Sequence, residues 1–341
     1  MPLRRRAVVL TTVSALTVVT ALVVVTILVL VNRAAPAKPA TSATATPAAP
    51  PTSAAPAGPL RSPFTGERVN RLGPVLVVKI DNVVDARPPT GLTRADVVYL
   101  LPVEGGLSRI FAVFSSHFPH VIGPVRSTRE DDLELLRQFG RPAFAYSGAQ
   151  SHLLPYIHRA RIVDLYAGLV GGYFRDPNRF IPHNLYANAR LLLAEGHRAS
   201  RARDIGFRFG RPPPGGRRIR SLHVAYPAAS FGFRWSAHRA RWLVSMDGAA
   251  EMSTEGGQLG APTVVIQYTK VSTSRFLERG SRPPFAVSTG SGTALVLRGG
   301  KVYRVRWSRP HADGGTTFTT PAGRRMTFAR GQVWVVLIAA H

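Results

Sequence analysis

The sequence contains no cysteine. Disulfides, thiolate catalysis, iron–sulfur clusters and cysteine zinc sites are excluded with it. Lysine is scarce, at four of 44 basic residues, and acidic residues number only 18, so the formal charge is +26. Residues 1–59 hold five basic residues and no acid, which leaves +21 for residues 60–341. Such an excess attracts a polyanion: anionic lipid, wall polymer or nucleic acid. The preference for Arg over Lys, with abundant Ala, Gly, Pro and Val, is equally what a GC-rich genome produces. No RGG run, zinc-finger spacing or aromatic RNP pattern is present, so a nucleic-acid partner is not expected. Apolar residues make up 45% of the chain, enough for a real core.

What is present begins with Ala7 to Val31, 25 positions without a charge. As a helix this stretch spans about 37 Å, more than the roughly 30 Å hydrocarbon core of a bilayer. Arg4, Arg5 and Arg6 precede it, while only Arg33 and Lys38 follow closely, which keeps residues 1–6 in the cytoplasm. The expectation is a transmembrane helix over 7–31, and a cell-membrane protein with its C-terminal part outside. A cleaved signal peptide is the rival, since small residues such as Ala35 and Ala37 permit cleavage, but its apolar region is usually far shorter. Residues 34–59 follow, with seven prolines in 26 positions among Ala, Thr and Ser. They have too few large apolar groups to offset ordering and read as an extended, disordered linker.

From 60 to 205 apolar runs alternate with helical patterns. Strands are expected at Val75–Ile80, Asp96–Leu101, Ile110–Phe114, Ala143–Tyr146 and Ile162–Leu165, and a helix over Arg129–Phe139. A second helix is expected over Leu185–Glu195, with Asn184 as N-cap. Residues 206–220, rich in Pro, Gly and Arg, read as an interdomain segment. From 216 to 341 the pattern is β, with strands at Leu222–Tyr226, Phe231–Trp235, Arg241–Met246, Thr263–Tyr268, Thr293–Arg298, Val302–Trp307 and Val333–Ile338. A tight hairpin is expected at Arg298-Gly299-Gly300-Lys301. The fold class is therefore α/β: a mixed α/β layered domain, then a smaller β-rich α+β domain.

Four polar segments stand at element ends, where sites are usually built. They are Lys79-Ile80-Asp81-Asn82 followed by Ala86-Arg87-Pro88, Val103 to Arg109, Gly123 to Arg129, and Phe174-Arg175-Asp176 with Ile181-Pro182-His183-Asn184. In the third, Ser127 or Thr128 is placed to cap the helix, and Arg126 and Arg129 to clamp a phosphate or carboxylate. His183 with Asp176, Asp81 and Glu104 has the composition of acid–base machinery, but without HExxH or clustered-histidine spacing, so no metal is expected. No cofactor is implied. Thr289-Gly290-Ser291-Gly292 lacks the GK[ST] ending of a phosphate loop and reads as a turn between strands. Trp307 beside Arg309 is a candidate sugar platform.

Asp81-Asn82, Ala86-Arg87-Pro88, Val103-Glu104-Gly105-Gly106, Gly123-Pro124-Val125-Arg126-Ser127, Arg175-Asp176, Pro182-His183-Asn184-Leu185-Tyr186 and Thr289-Gly290-Ser291-Gly292 occur in the same order in the YerB-like family, which this chain resembles from about 62 to 338. These are bacterial, usually lipid-anchored proteins described as a domain of unknown function. The resemblance implies an extracytoplasmic location and a two-part α/β body, and hands over no activity. Family members commonly carry an acylated cysteine that is absent here, so the apolar span must do its work. The functional expectation is an envelope module that binds an anionic wall polymer or partner protein through Asp81, Asn82, Arg87, Glu104, Arg109, Arg126, Ser127, Arg129, Arg175, Asp176, His183 and Asn184. The alternative is an envelope hydrolase or transferase using carboxylates near Asp81 and Glu104.

Overall fold

The strand Leu76–Asp81 (β1) is buried along its whole length, as its apolar run requires. It lies deep in a mixed sheet of eleven strands. The others that matter here are β2 (Val97–Pro102), β3 (Ser108–Phe114), β4 (Ala143–Tyr146) and β5 (Val163–Tyr166). A hairpin meander follows in a separate sheet: β6 (Ser221–Tyr226), β7 (Ala229–Ser236) and β8 (Arg241–Met246). The chain then returns to the large sheet with β9 (Thr263–Thr269), β10 (Gly290–Arg298), β11 (Lys301–Arg309), β12 (Thr317–Thr319) and β13 (Val333–Ala339). The order across the large sheet is β12-β11-β10-β9-β13-β2-β3-β1-β4-β5. The computed structural model describes residues 59–340 apart from Arg279. The helix expected over 7–31 and nearly all of the linker expected over 34–59 lie outside the described residues. Among those described, no helix is long and apolar enough to cross a membrane.

The fold is mixed α/β, dominated by sheet. β13, from the end of the chain, pairs in parallel with both β2 and β9, so strands from 60–205 and from 216–341 share one sheet. Alternate residues of β1 feed two cores. Leu76, Val78 and Ile80 pack towards the meander, with Phe231, Phe233, Trp242 and Val244. Val77, with Val75 just before the strand, packs towards the helices α1 (Glu130–Leu136) and α2 (Leu154–Arg159), with Leu135, Phe139 and Ile157. The result is three layers.

Most expected strands are found within one to three residues of their ends, and the hairpin closes with Arg298 opposite Lys301. Four local readings are corrected. The second helix, α3, runs only over Ala189–Glu195, and Asn188 caps it by accepting the Arg190 and Leu191 N–H groups. Leu185–Asn188 is instead a strand, paired with Val121–Ile122 and Tyr173–Arg175. Asn184 and Asn188 are both cap formers, and distant strand partners chose between them. The N-cap of α1 is Arg129 rather than Ser127 or Thr128, because Asp132 reaches back to accept both the Arg129 N–H and the Thr128 hydroxyl. Gly290 to Gly292 open β10 opposite Arg309 to Trp307 and form no turn. Trp307 and Arg309 are buried, with the indole N–H donated to the Tyr268 carbonyl, so neither is a sugar platform.

Candidate functional site

The end of β1 sets the site. Ile80 bridges to Val125, Asp81 N–H donates to the Pro124 carbonyl, and Arg126 N–H donates to the Lys79 carbonyl. The third polar segment is thereby laid alongside the first. β3 pairs Asp81 with Arg109, which brings in the second. Val125 N–H donates to the Leu185 carbonyl, which anchors the fourth. A cleft of about 420 Å³ opens where they meet. Asp81, Glu104, Arg109, Arg126, Ser127, Arg129 and His183 all line it.

Asp81 is the hub on one side. His183 Nδ1 lies 2.8 Å from its Oδ2, and Arg126 Nε lies 3.0 Å from the same oxygen. The Arg126 contact is an ion pair rather than an aligned hydrogen bond, since Nε has no bonded partner. Oδ1 accepts the Asn82 N–H at 2.9 Å. The carboxylate is thus held by one neighbouring amide and oriented towards the Arg126 guanidinium and the His183 imidazole.

Glu104 is the hub on the other. It accepts from Arg109 at 2.9 Å and from Arg129 Nε at 2.9 Å, with a second contact to Arg129 through NH2. Burial raises the Glu104 carboxyl, but the Arg129 hydrogen bond and the charges of Arg109 and Arg129 outweigh it and hold it at about 2. Glu104 is therefore an anion at any physiological pH and no proton donor. Burial, with repulsion from Arg129, lowers Arg109 to about 10. Arg129 is also 3.6 Å from Glu278, a residue of the C-terminal half that closes the cleft.

The remaining expected residues stand behind or beside the cleft. Asn82 is buried and donates to Ser108 Oγ. Arg87 turns away to the Asn82 carbonyl and to Asp247 and Glu251 beyond β8. Arg175 donates to Asn184 Oδ1 at 2.7 Å, and Asn184 Nδ2 donates back to the Asp176 carbonyl at 3.2 Å. These three tie down the loop that carries His183. Among the described residues no group of three or more His, Asp and Glu is placed to hold a metal.

Sequence reasoning missed two features. Lys79 is fully buried and donates to Asp132 at 2.6 Å, so β1 clamps the start of α1 behind Arg129. A lysine inside the buried run VLVVKI must find a carboxylate, and that demand was the available signal. The second feature is an apolar rim. Val84, Phe180 and Ile181 are 68%, 87% and 71% exposed; in sequence Val84 and Ile181 adjoin residues that line the cleft, and Phe180 lies two positions from the lining residue Pro182.

Comparison with known proteins places the fold in a family. Residues 64–202 match the N-terminal domain of a protein of unknown function, DUF3048, and residues 222–335 match its C-terminal domain. YerB of Bacillus subtilis, a protein named as a lipoprotein, is 43% identical over 75 residues, which cover 21% of this chain and 22% of that one. The crystal structure of YerB from Bacillus subtilis superposes with a TM-score of 0.68 at 20% identity, covering 82% of this chain and 97% of that chain, which shows the common fold. With both domains present in order, the chain belongs to the YerB-like DUF3048 family.

Proposed function

We propose that this chain is a membrane-anchored, extracytoplasmic binding module, and that its cleft takes an anionic group, carboxylate or phosphate, of a cell-envelope polymer or partner. The observation that carries this reading is that Arg126 and His183 converge on one Asp81 oxygen while both line the cleft. Their orientation is fixed before a ligand arrives, so little ordering entropy is lost on binding. Arg126 Nη1 makes a long contact of 3.5 Å to the Pro182 carbonyl, which leaves Nη2 for a second anion, and Ser127 stands beside it in the lining. The apolar rim at Val84, Phe180 and Ile181 suits the uncharged part of such a ligand. The membrane anchor is residues 7–31, in place of the lipid of a lipoprotein. Binding of the full chain, in neutral detergent, to purified cell wall at low salt tests the reading. Arg126→Ala is expected to reduce retention at least tenfold; retention equal to the parent removes the cleft from the site.

A second reading rests on the 2.8 Å contact of His183 with Asp81, the arrangement that orients a general base. Glu104, held ionised by two arginines, is not the acid partner of such a reaction. Under this reading His183→Ala abolishes turnover of wall fragments while their binding persists.

A further inference from the structure

The arginines of the cleft are each ion-paired there, Arg126 with Asp81 and both Arg109 and Arg129 with Glu104. Most of the chain's excess positive charge lies elsewhere. The meander β6–β8 covers only part of its face of the large sheet. It covers Leu297 and Val302, which face each other on β10 and β11 and are buried. Two residues further along, Leu295 opposite Arg304 marks the boundary, and beyond it Thr293 opposes Arg306. Leu295 is half-buried, and Thr293, Arg304 and Arg306 are exposed.

Two adjoining hollows of about 560 and 500 Å³ lie over this uncovered stretch. Both are lined by Leu295, Arg304 and Pro321, so they form one continuous trough. Arg217 stands on one wall and Arg324 on the other, with Arg306 at the far end. No acidic residue lines either hollow. All four guanidinium groups are on exposed residues, and among the described residues none is paired with a carboxylate. Arg304 and Arg306, on the same face of one strand, are about 7 Å apart along it.

We infer that this trough binds a linear polyanion carrying a phosphate in each repeat. A row of unpaired guanidinium groups at strand spacing suits successive charges of an extended chain. Half-buried Leu295, which lines both hollows, offers an apolar floor for the uncharged part of each repeat. A planar bilayer is the poorer match, because Arg304 stands in the floor of a concavity between the 214–217 and 320–324 walls. The trough shares no lining residue with the cleft, and its role does not depend on the cleft's.

The test uses the full chain in neutral detergent micelles and fluorescently labelled linear inorganic polyphosphate, followed by anisotropy. The double variant Arg304→Gln/Arg306→Gln is expected to weaken binding at least tenfold at low salt. It should also flatten the dependence of log K on log salt by roughly one to two units, the share of two lost phosphate contacts. The control Arg239→Gln/Arg241→Gln removes the same charge from a different exposed site and should stay within twofold of the parent. An equal loss in both variants, or none in the first, overturns the inference. Phenylglyoxal footprinting of the parent chain gives a reading independent of any variant. Protection of Arg304 and Arg306 by polyphosphate supports the trough. Protection only when the chain is reconstituted into phosphatidylglycerol bilayers assigns the surface to the membrane and overturns the polymer.

Discussion

Glu104→Gln isolates the electrostatics of the cleft, because the change keeps shape and removes one charge. In the parent protein a single carboxylate bridges Arg109 and Arg129, both buried. Without it two guanidinium groups face each other with only more distant acids to compensate, Glu278 at 3.6 Å and Asp132 for Arg129, and Asp81 for Arg109. Breaking a buried pair by removing one partner costs about 3–5 kcal/mol. The Glu104 side chain is 24% exposed, so solvent screening puts the expected loss near the bottom of that range, about 3 kcal/mol. In a body of this size the unfolding midpoint should fall by roughly 6–9 °C. The loss should follow the titration of the carboxyl. Its folded value of about 2 lies below the ordinary 4.5, so its stabilisation is fully present above pH 4.5 and disappears as pH falls towards 2. The difference between variant and parent should therefore be constant from pH 8 to 5 and close below that. The vacated position is also an anion site. Formate at about 100 mM, with chloride balancing ionic strength, should restore roughly 1.4 kcal/mol if it binds with a Kd on the order of 10 mM. Differential scanning fluorimetry of the full chain across pH and formate measures all three effects. A midpoint within 1–2 °C of the parent at neutral pH, or a deficit that persists unchanged at pH 3, would refute the bridging role.

Burial, only partly offset by Arg87, raises Glu251 to about 7 from 4.5, so stability is lost as pH rises from 4.5 through 7. Glu251→Gln should stabilise the protein at pH 8 by about 3 kcal/mol and by far less at pH 4, read from thermal unfolding at both pH values. Gly206 has φ +89°, and a β-carbon there would lie 2.4 Å from the Thr316 carbonyl oxygen. Gly206→Ala should cost 2 kcal/mol or more, roughly, measured by chemical denaturation. Asn184→Ala removes the partner of Arg175 and of the Asp176 carbonyl, so amide exchange over 176–183 should quicken while exchange in β1 stays slow. Equal protection of the loop in variant and parent would show that Asn184 does not hold it.

Several parts of this protein follow from local chemistry, and so were legible in the sequence. The apolar run before Asp81 could only be a buried strand, and the Arg-Gly-Gly-Lys sequence could only turn back on itself. The polar segments at element ends read as one site, and seven of the twelve candidate residues do line one cleft. What local chemistry left undecided was pairing. Asn184 and Asn188 offered equal caps until Val121–Ile122 and Tyr173–Arg175 claimed the intervening residues as a strand. The reversal of expectation at the arginines has the same origin. Those beside carboxylates in the motifs are neutralised across the cleft, and those with no motif, on β11 and its flanking turns, keep their charge. The sequence by itself determined the uncharged run at 7–31, the net charge and most of the strands, because hydropathy and charge are properties of single residues and their near neighbours. Only the tertiary structure decided which charges cancel, because an ion pair depends on distance in space, and Glu104 meets Arg129 across 25 residues of chain.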